Sequence, residues 1–410
     1  MKVLKRFKLV PILAFTLLLG CTDDKNPSPD LIVNPVTIPA NIADGTTSFA
    51  FNFLHNLQQT QPAQDNLFVS PLSLHIALGM LLNGSERETA DEILKTLEMQ
   101  GVSVADLNNA YKTLVNDLPV ADSRVSLGLA NSMWYRSGFQ VENNFQNILR
   151  DSFNSDITGL IFDNAAKDKI NQWASDKTNG KIKKVLDEID ENKVMFLLNA
   201  LYFKGDWKSQ FDSKQTVEMP FNLEGGGTKS VKMMNVKSTF PATFNNTFSA
   251  VKLPYSSGQF SMTLLIPYGQ NTIDGVLAEM TASKWREVSA EMRDRNVKVG
   301  LPRFKLDYSA KLNATLEKMG INKIFSSSAQ LGKINKNEHL VVDFVKQDAY
   351  LGIDEQGTEA AAVTSIGIDV TSVSPDENRY ICDRPFGLII TENTSNTILF
   401  MGRIKNPDSK

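Results

Sequence analysis

The side chains best suited to general base, nucleophile or soft-ligand chemistry are few in this chain of 410 residues: His55, His75, His339, Cys21 and Cys382. No two of them stand at the spacing of a zinc or transition-metal site, so no metal is expected. His75 falls in an apolar run that reads as helix, where a histidine is ordinarily a hydrogen-bonded core residue. Cys382 precedes Asp383-Arg384-Pro385 at the start of a strand; it is a thiol nucleophile in principle, and a small buried residue on the simpler reading. No Gly-x-Ser-x-Gly elbow activates a serine. Gly225-Gly226-Gly227 lacks the Gly-Lys-Ser/Thr ending of a phosphate loop and reads as a turn between strands. The net charge of -3 gives no footprint for nucleic acid, and Lys181, Lys183 and Lys184 read as a solvated helix face. The chain is expected to be no enzyme and to need no cofactor.

What remains is a stretch near the C-terminus, Ile353 to Tyr380, that reads both as loop and as strand. Thr358, Ala360, Ala362, Thr364, Ile366, Ile368 and Val370 share one parity and are all uncharged. The other parity carries both charges, Glu359 and Asp369, and no proline occurs before Pro375. A segment with these properties can enter a packed sheet with one face buried, although an ordinary edge strand meets the same conditions.

The surrounding elements read as follows. Ala50, Phe53, Leu54 and Leu57 share a helix face; Ser70-Pro71 caps a helix that stops at Asn83-Gly84; Ile93 to Leu97 is another short helix. Helices recur at Ile170 to Ser175, Ile273 to Met280 and Leu312 to Met319. Strands are expected at Leu127 to Tyr135, Val194 to Phe203, Val231 to Met234, Val251 to Leu253, Phe260 to Ile266, Val297 to Leu306, Leu388 to Ile390 and Ile398 to Met401. With 42% hydrophobic residues there is material for a sizeable core, and the irregular order of elements indicates one α+β domain from about residue 45 to 407.

The first twenty residues stand apart. Lys2, Lys5, Arg6 and Lys8 precede an apolar run, Leu9 to Leu19, that is too short to span a bilayer, as in a secretory signal peptide. Leu18-Leu19-Gly20-Cys21 resembles a bacterial lipobox, which implies a lipid on Cys21, cleavage of residues 1–20 and a membrane anchor; plain cleavage and an uncleaved anchor are the alternatives. Thr22-Asp23-Asp24 resembles the surface-export tag of some Gram-negative lipoproteins, so an outer-membrane, cell-surface location is expected. Residues 21–45, with Pro27, Pro29, Pro35 and Pro39, read as a tether. With Cys21 lipidated, Cys382 has no disulfide partner.

Several phrases, in one order along the chain, resemble the serpin family. They are Asn66-Leu-Phe-Val-Ser70-Pro71-Leu-Ser73, Trp173 with Thr178-Asn179-Gly180-Lys181-Ile182, and Asn199-Ala-Leu-Tyr202-Phe203-Lys204-Gly205-Asp-Trp207. Leu301-Pro302-Arg303-Phe304, Gly357-Thr358-Glu359-Ala360-Ala361-Ala362, Arg384-Pro385-Phe386 and Leu399-Phe400-Met401-Gly402-Arg403-Ile404 complete the set. The resemblance implies a serpin domain over residues 46–410, with three β-sheets, about nine helices and an exposed reactive-centre loop at about 355–380. It also implies a monomeric suicide inhibitor that forms a covalent complex with a target protease, whose acyl-enzyme is trapped when the cut loop inserts into the main sheet. A serpin that has lost inhibition and serves as a surface binding protein is the alternative.

By family pattern Glu355, Gly357, Thr358, Glu359, Ala360, Ala361 and Ala362 form the hinge, and Thr371-Ser372 is the bond to be cut, with Val370 and Val373 as alternatives. Ser70 and Ser73 fall at the shutter beneath the sheet, Asn199 on the strand that must part, and Trp207 where insertion begins. No Lys or Arg lies between Gly357 and Asn378, so a trypsin-like pocket has nothing to grip. Small and β-branched residues suit elastase-like and subtilisin-like serine proteases, and Val370 suits papain-like cysteine proteases. Two departures from the family pattern, Ser85-Glu86 and Gln347-Asp348, are expected at the periphery.

Overall fold

Helix starts in this chain are written in hydroxyl and carboxylate caps. Ser70, Ser103, Asp163, Thr272 and Thr281 each accept a backbone N–H from three residues on, which satisfies one of the orphan donors of the first turn. The computed structural model describes residues 31–190, 193–358 and 379–407. Among them are nine α-helices: α1 (Ala40–Thr60), α2 (Pro71–Gly84), α3 (Arg87–Thr96), α4 (Val104–Asp117), α5 (Asn143–Phe153), α6 (Asn164–Lys177), α7 (Ile273–Glu279), α8 (Ala282–Glu291) and α9 (Asn313–Met319).

The strands are β1 (Leu67–Val69), β2 (Val125–Arg136), β3 (Ser155–Leu160), β4 (Met195–Asp206), β5 (Val217–Asn222), β6 (Thr228–Phe244), β7 (Phe248–Pro254) and β8 (Phe260–Pro267). They continue with β9 (Arg293–Pro302), β10 (Phe304–Lys311), β11 (Lys346–Ile353), β12 (Gly357–Thr358), β13 (Arg379–Ile381), β14 (Phe386–Glu392) and β15 (Ile398–Ile404). Six of them form one sheet in the order β10-β11-β12-β4-β2-β3. The other nine form a second, β1-β15-β14-β8-β7-β6-β9-β13, with β5 pairing β6. Two of the three expected sheets run together because β6, seventeen residues long, pairs β5 and β9 over its length and β7 at its end.

Helix α2 is buried along nearly its whole length, as its uniformly apolar sequence requires, and lies in the main core with β15 and β14. A second cluster, Trp134, Phe162, Ile170, Leu186 and Phe196, is where α6 and the segment after it cover the six-stranded sheet. Among the described residues no helix is long and apolar enough to cross a membrane.

Three expectations are corrected. The tether does not run to Gly45, because α1 already begins at Ala40, after Pro39 has preset φ at -54°, and buries Ile42 and Gly45; residues 31–38 are bonded to the body before it. Val297 to Leu306 is not one strand. Arg303 divides β9 from β10, which belong to different sheets. Lys181, Lys183 and Lys184 are not on a helix: they follow α6, with Lys181 over the Tyr350 ring at 5.0 Å and Lys184 paired with Asp187 at 2.6 Å.

Candidate functional site: the hinge and the strands beside it

After β11 the chain turns at Asp354. The Asp354 carboxylate accepts from Gln356 N at 2.9 Å and Gly357 N at 3.2 Å, and Asp354 N donates to Gly357 O at 3.0 Å. This tight turn lays β12 between β11 and β4. Thr358 lies opposite Ile353 on one side and Gly205 on the other, and Gly357 lies opposite Asp206. A Cβ on Gly357 would stand 2.1 Å from Gly205 O, so no side chain fits there. Two residues of the expected hinge are therefore strand residues of this sheet. Beyond them no ladder joins β4 to β11 among the described residues.

Trp207 sits beside this turn. Its indole Nε1 donates to Asp354 O at 2.9 Å, its backbone N donates to Gln356 O at 2.7 Å, and its ring stacks on Tyr255 at 4.5 Å. Tyr255 is fully buried and its hydroxyl is 2.5 Å from that of Thr358. Burial pushes the phenol far above its ordinary range, with the Thr358 bond opposing weakly, so it stays protonated and able to donate. Glu355 is fixed by Thr216 Oγ1 at 2.8 Å, by Arg303 Nη1 at 3.4 Å, and by Phe211 N donating to its carbonyl at 3.0 Å.

Ser70 and Ser73 meet in the cap of α2, where Ser73 N donates to Ser70 Oγ at 3.1 Å. Asn199 is not bonded to them. Its Nδ2 donates to Asn131 Oδ1 on β2 at 2.6 Å, and Asn131 donates to Phe153 O at 2.7 Å. Asn199 Oδ1 is buried without a donor. The partner of Ser70 is instead Gln347: its Oε1 accepts from Ser70 N at 2.9 Å and its Nε2 donates to Ser70 O at 2.8 Å. Gln347 is thus not peripheral but buried, tying β11 to the start of α2. Ser85 is likewise buried, its hydroxyl donating to Leu81 O at 2.8 Å.

Trp207, Glu355, Gly357 and Thr358 are thus gathered at one end of the six-stranded sheet, and Ser70 and Ser73 meet under β11. Glu359, Ala360, Ala361, Ala362, Val370, Thr371, Ser372, Val373 and Cys21 lie outside the described residues. Sequence reading missed Tyr255, Asp354 and the roles of Arg303 and Gln347. Asp354 has a local signal, an Asx turn before Gly357. The other three act on residues distant in sequence, with no local trace.

His75 and Cys382 behave as core residues. His75 Nε2 is 3.2 Å from Leu97 O and its Nδ1 is 2.8 Å from Tyr111 Oη; burial lowers its pKa to about 4, the Leu97 bond opposing. Burial, aided by the Asp383 charge, holds the Cys382 thiol well above its usual pKa, which leaves no thiolate. Among the described residues no cluster of His, Cys, Asp and Glu could hold a metal ion.

The model of the serpin family, serine protease inhibitors, matches residues 44–407. Leukocyte elastase inhibitor of Xenopus laevis is 32% identical over 380 residues, covering 90% of this chain and 100% of the relative. Iripin-1 of Ixodes ricinus is 32% identical over 369 residues, covering 87% and 93%. Among solved structures, the thermophilic serpin tengpin in its native state superposes with a TM-score of 0.81 at 28% identity, covering 91% of this chain and 97% of tengpin. Thyroxine-binding globulin complexed with thyroxine does so at 0.82 and 25%, covering 90% and 100%. The chain belongs to the serpin family, with that family's α+β fold; its class is that of protease inhibitors, not of enzymes.

Proposed function

We propose that the protein is an irreversible suicide inhibitor of proteases that works by loop insertion. The observation that carries this reading is the seating of Gly357 and Thr358 between β11 and β4, directly before a segment whose Thr358 parity is uncharged. The protease nucleophile adds to the carbonyl of Thr371, the nitrogen of Ser372 leaves with a proton, and an ester or thioester to the protease remains. Val370, Ser372 and Val373 are the alternative residues before the cut. The freed strand then inserts behind Thr358. About a dozen newly paired residues at roughly 0.5 to 1.5 kcal/mol each supply on the order of 10 kcal/mol. That is comparable with the stability of a protease domain, about 5 to 15 kcal/mol, and is enough to distort its active site.

The target is an elastase-like or subtilisin-like serine protease, or a papain-like cysteine protease. The absence of Lys and Arg from residues 358–377 supports this, as do relatives named leukocyte elastase inhibitor. The inhibitor acts as a monomer from the outer membrane, at the cell surface, held by a lipid on Cys21; the lipobox-like Leu18-Leu19-Gly20-Cys21 and the acidic residues after it support this.

Incubation with an elastase-like protease tests the reading. An SDS-resistant complex must form, Thr358→Arg must turn the inhibitor into a substrate, and mass spectrometry of the released peptide must place the cut between residues 370 and 374. Rapid cleavage without a complex, and without a rise in melting temperature, would instead favour a non-inhibitory binding protein.

A further inference from the structure

Residues 31–34 and 120–123 form a short ladder where the described chain begins. Asn34 N donates to Ala121 O at 2.8 Å, Ser123 N donates to Ile32 O at 3.0 Å, Val33 bridges Asp122 in antiparallel fashion, and Asn34 Nδ2 donates to Val120 O at 2.8 Å. The backbone is thus fixed, yet four of the side chains stand in solvent. Among the described residues nine large apolar side chains are exposed, and four of them belong to this one ladder: Leu31 at 41%, Ile32 at 57%, Val33 at 40% and Val120 at 57%. An apolar concentration of this kind marks a surface that meets a partner or a membrane. The one carboxylate of the ladder, Asp122, is turned away from solvent. It is buried and accepts from Ser257 Oγ at 2.5 Å and from Arg124 N at 2.8 Å.

The occupant follows from where the ladder begins. Cys21 stands ten Cα steps before Leu31, so a lipid on it holds the patch no farther than roughly 35 Å from the bilayer surface. A surface tethered this closely meets the patch at a roughly millimolar effective concentration, at which a weak apolar contact suffices. Resting on the lipid-anchor reading of Cys21, we propose that Leu31, Ile32, Val33 and Val120 are a membrane-docking patch that enters the boundary of headgroups and acyl chains in the bilayer that carries the anchor. With Asp122 turned inward, no carboxylate of the ladder opposes an anionic headgroup. Docking also fixes an orientation. Val125, two residues beyond Ser123, opens β2 opposite Gly205, and Gly205 lies opposite Thr358. The hinge end of the six-stranded sheet is thereby held beside the membrane, while Arg136, paired with Leu160 at the other end of β2, is about 36 Å away along the strand. The inhibitor is then presented to proteases that work at its own surface.

Two reporter thiols carrying a fluorophore test the patch on vesicles of phosphatidylethanolamine and phosphatidylglycerol doped with a nitroxide-labelled phospholipid. They are Arg124→Cys, exposed directly beyond the ladder, and Ile161→Cys, 75% exposed beside Leu160; Cys382 is buried and takes no label. The chain is anchored in two ways: by whatever lipid Cys21 carries when purified from its own membranes, and, with Cys21→Ser and a hexahistidine tag in place of residues 1–20, on a nickel-chelating lipid. The Arg124 reporter should be quenched about threefold more than the Ile161 reporter, as expected for a site at the bilayer boundary against one a strand length away. Ile32→Asp with Val120→Asp should bring the two reporters to equality without moving the melting temperature, and about 1 M salt should leave the parent's difference in place, because the contact is apolar. Equal quenching in the parent, no response to the aspartates, or a difference abolished by salt overturns the patch. A dimer of the unanchored Cys21→Ser chain that the aspartates dissociate assigns the surface to a second copy and overturns it as well. Mass spectrometry of the N-terminal peptide reads the anchor by itself. A bare Cys21 with unequal quenching on the nickel lipid sinks the anchor and keeps the patch, whereas a lipidated Cys21 with equal quenching sinks the patch alone.

Discussion

Gln347 closes both hydrogen bonds of its amide on the backbone of one residue, Ser70, 277 positions away. The N–H of Ser70 and its C=O are thereby satisfied from β11, while its hydroxyl caps α2. One side chain thus registers a sheet strand against the helix beneath it.

Replacing Gln347 with Leu leaves the buried N–H of Ser70 unpaired, while its C=O keeps the bond from Leu74 N at 3.3 Å. At about 1 to 3 kcal/mol for an unsatisfied buried group, a loss of that size is expected in chemical unfolding. Gln347→Glu keeps an acceptor for Ser70 N but turns its second oxygen onto Ser70 O, so it restores the pair only when protonated, and its loss of stability should be smaller at acid than at neutral pH. Equal unfolding midpoints for parent and Gln347→Leu would remove this link from the shutter.

Gly357→Ala places a methyl group where only 2.1 Å separates its position from Gly205 O. The hinge pair should leave the sheet, and insertion should lose its starting point. The expected outcome is a raised stoichiometry of inhibition, with more of the chain cleaved as substrate per complex formed, and a changed emission from Trp207, whose indole bonds Asp354 in the same turn.

Tyr255 and Thr358 form a buried hydroxyl pair at 2.5 Å. Tyr255→Phe or Thr358→Val alone strands one hydroxyl, at a cost of about 1 to 3 kcal/mol. The double variant strands none, so a cycle of melting measurements should give a coupling of about 0.5 to 3 kcal/mol. Strict additivity would show that the pair contributes nothing.

Burial keeps the imidazole of His75 neutral in the folded protein down to about pH 4, whereas an ordinary histidine titrates near 6.5. Between these values the unfolded chain binds the extra proton, so stability present above pH 6.5 is lost as pH falls through about 4. The full effect is about 3 kcal/mol. His75→Gln should flatten the slope of stability against pH in that window, whatever its effect at neutral pH.

What the sequence disclosed follows the range of each interaction. The cap at Ser70-Pro71, the glycine turn at 225–227 and the helix end before Gly320 are local chemistry and were legible. β11 was not recognised as a strand because Gln347 and Asp348 break its apolar pattern. The structure shows why both are there: one bonds Ser70, and the other pairs with Lys346 at 3.1 Å. The division of β9 from β10 at Arg303 was equally invisible, since alternation continues across it while the sheet changes. The hinge was legible as composition, but its contacts with Tyr255 and Gly205 join residues more than a hundred positions apart.

The seating of Thr358 also bears on the alignment that the proposed insertion would take. Strand pairings slip when nothing pins them, and a slip of one residue exchanges the two faces. Here Thr358 is held against Ile353 and Gly205 with its hydroxyl on Tyr255; on the proposed insertion, Ala360, Ala362 and Thr364 share its parity in the sequence and Glu359 does not. On the proposed insertion, a strand extended from this point would start in a single frame. Such growth would be like a zipper whose slider is already threaded, its speed set by how readily the neighbouring strands give way.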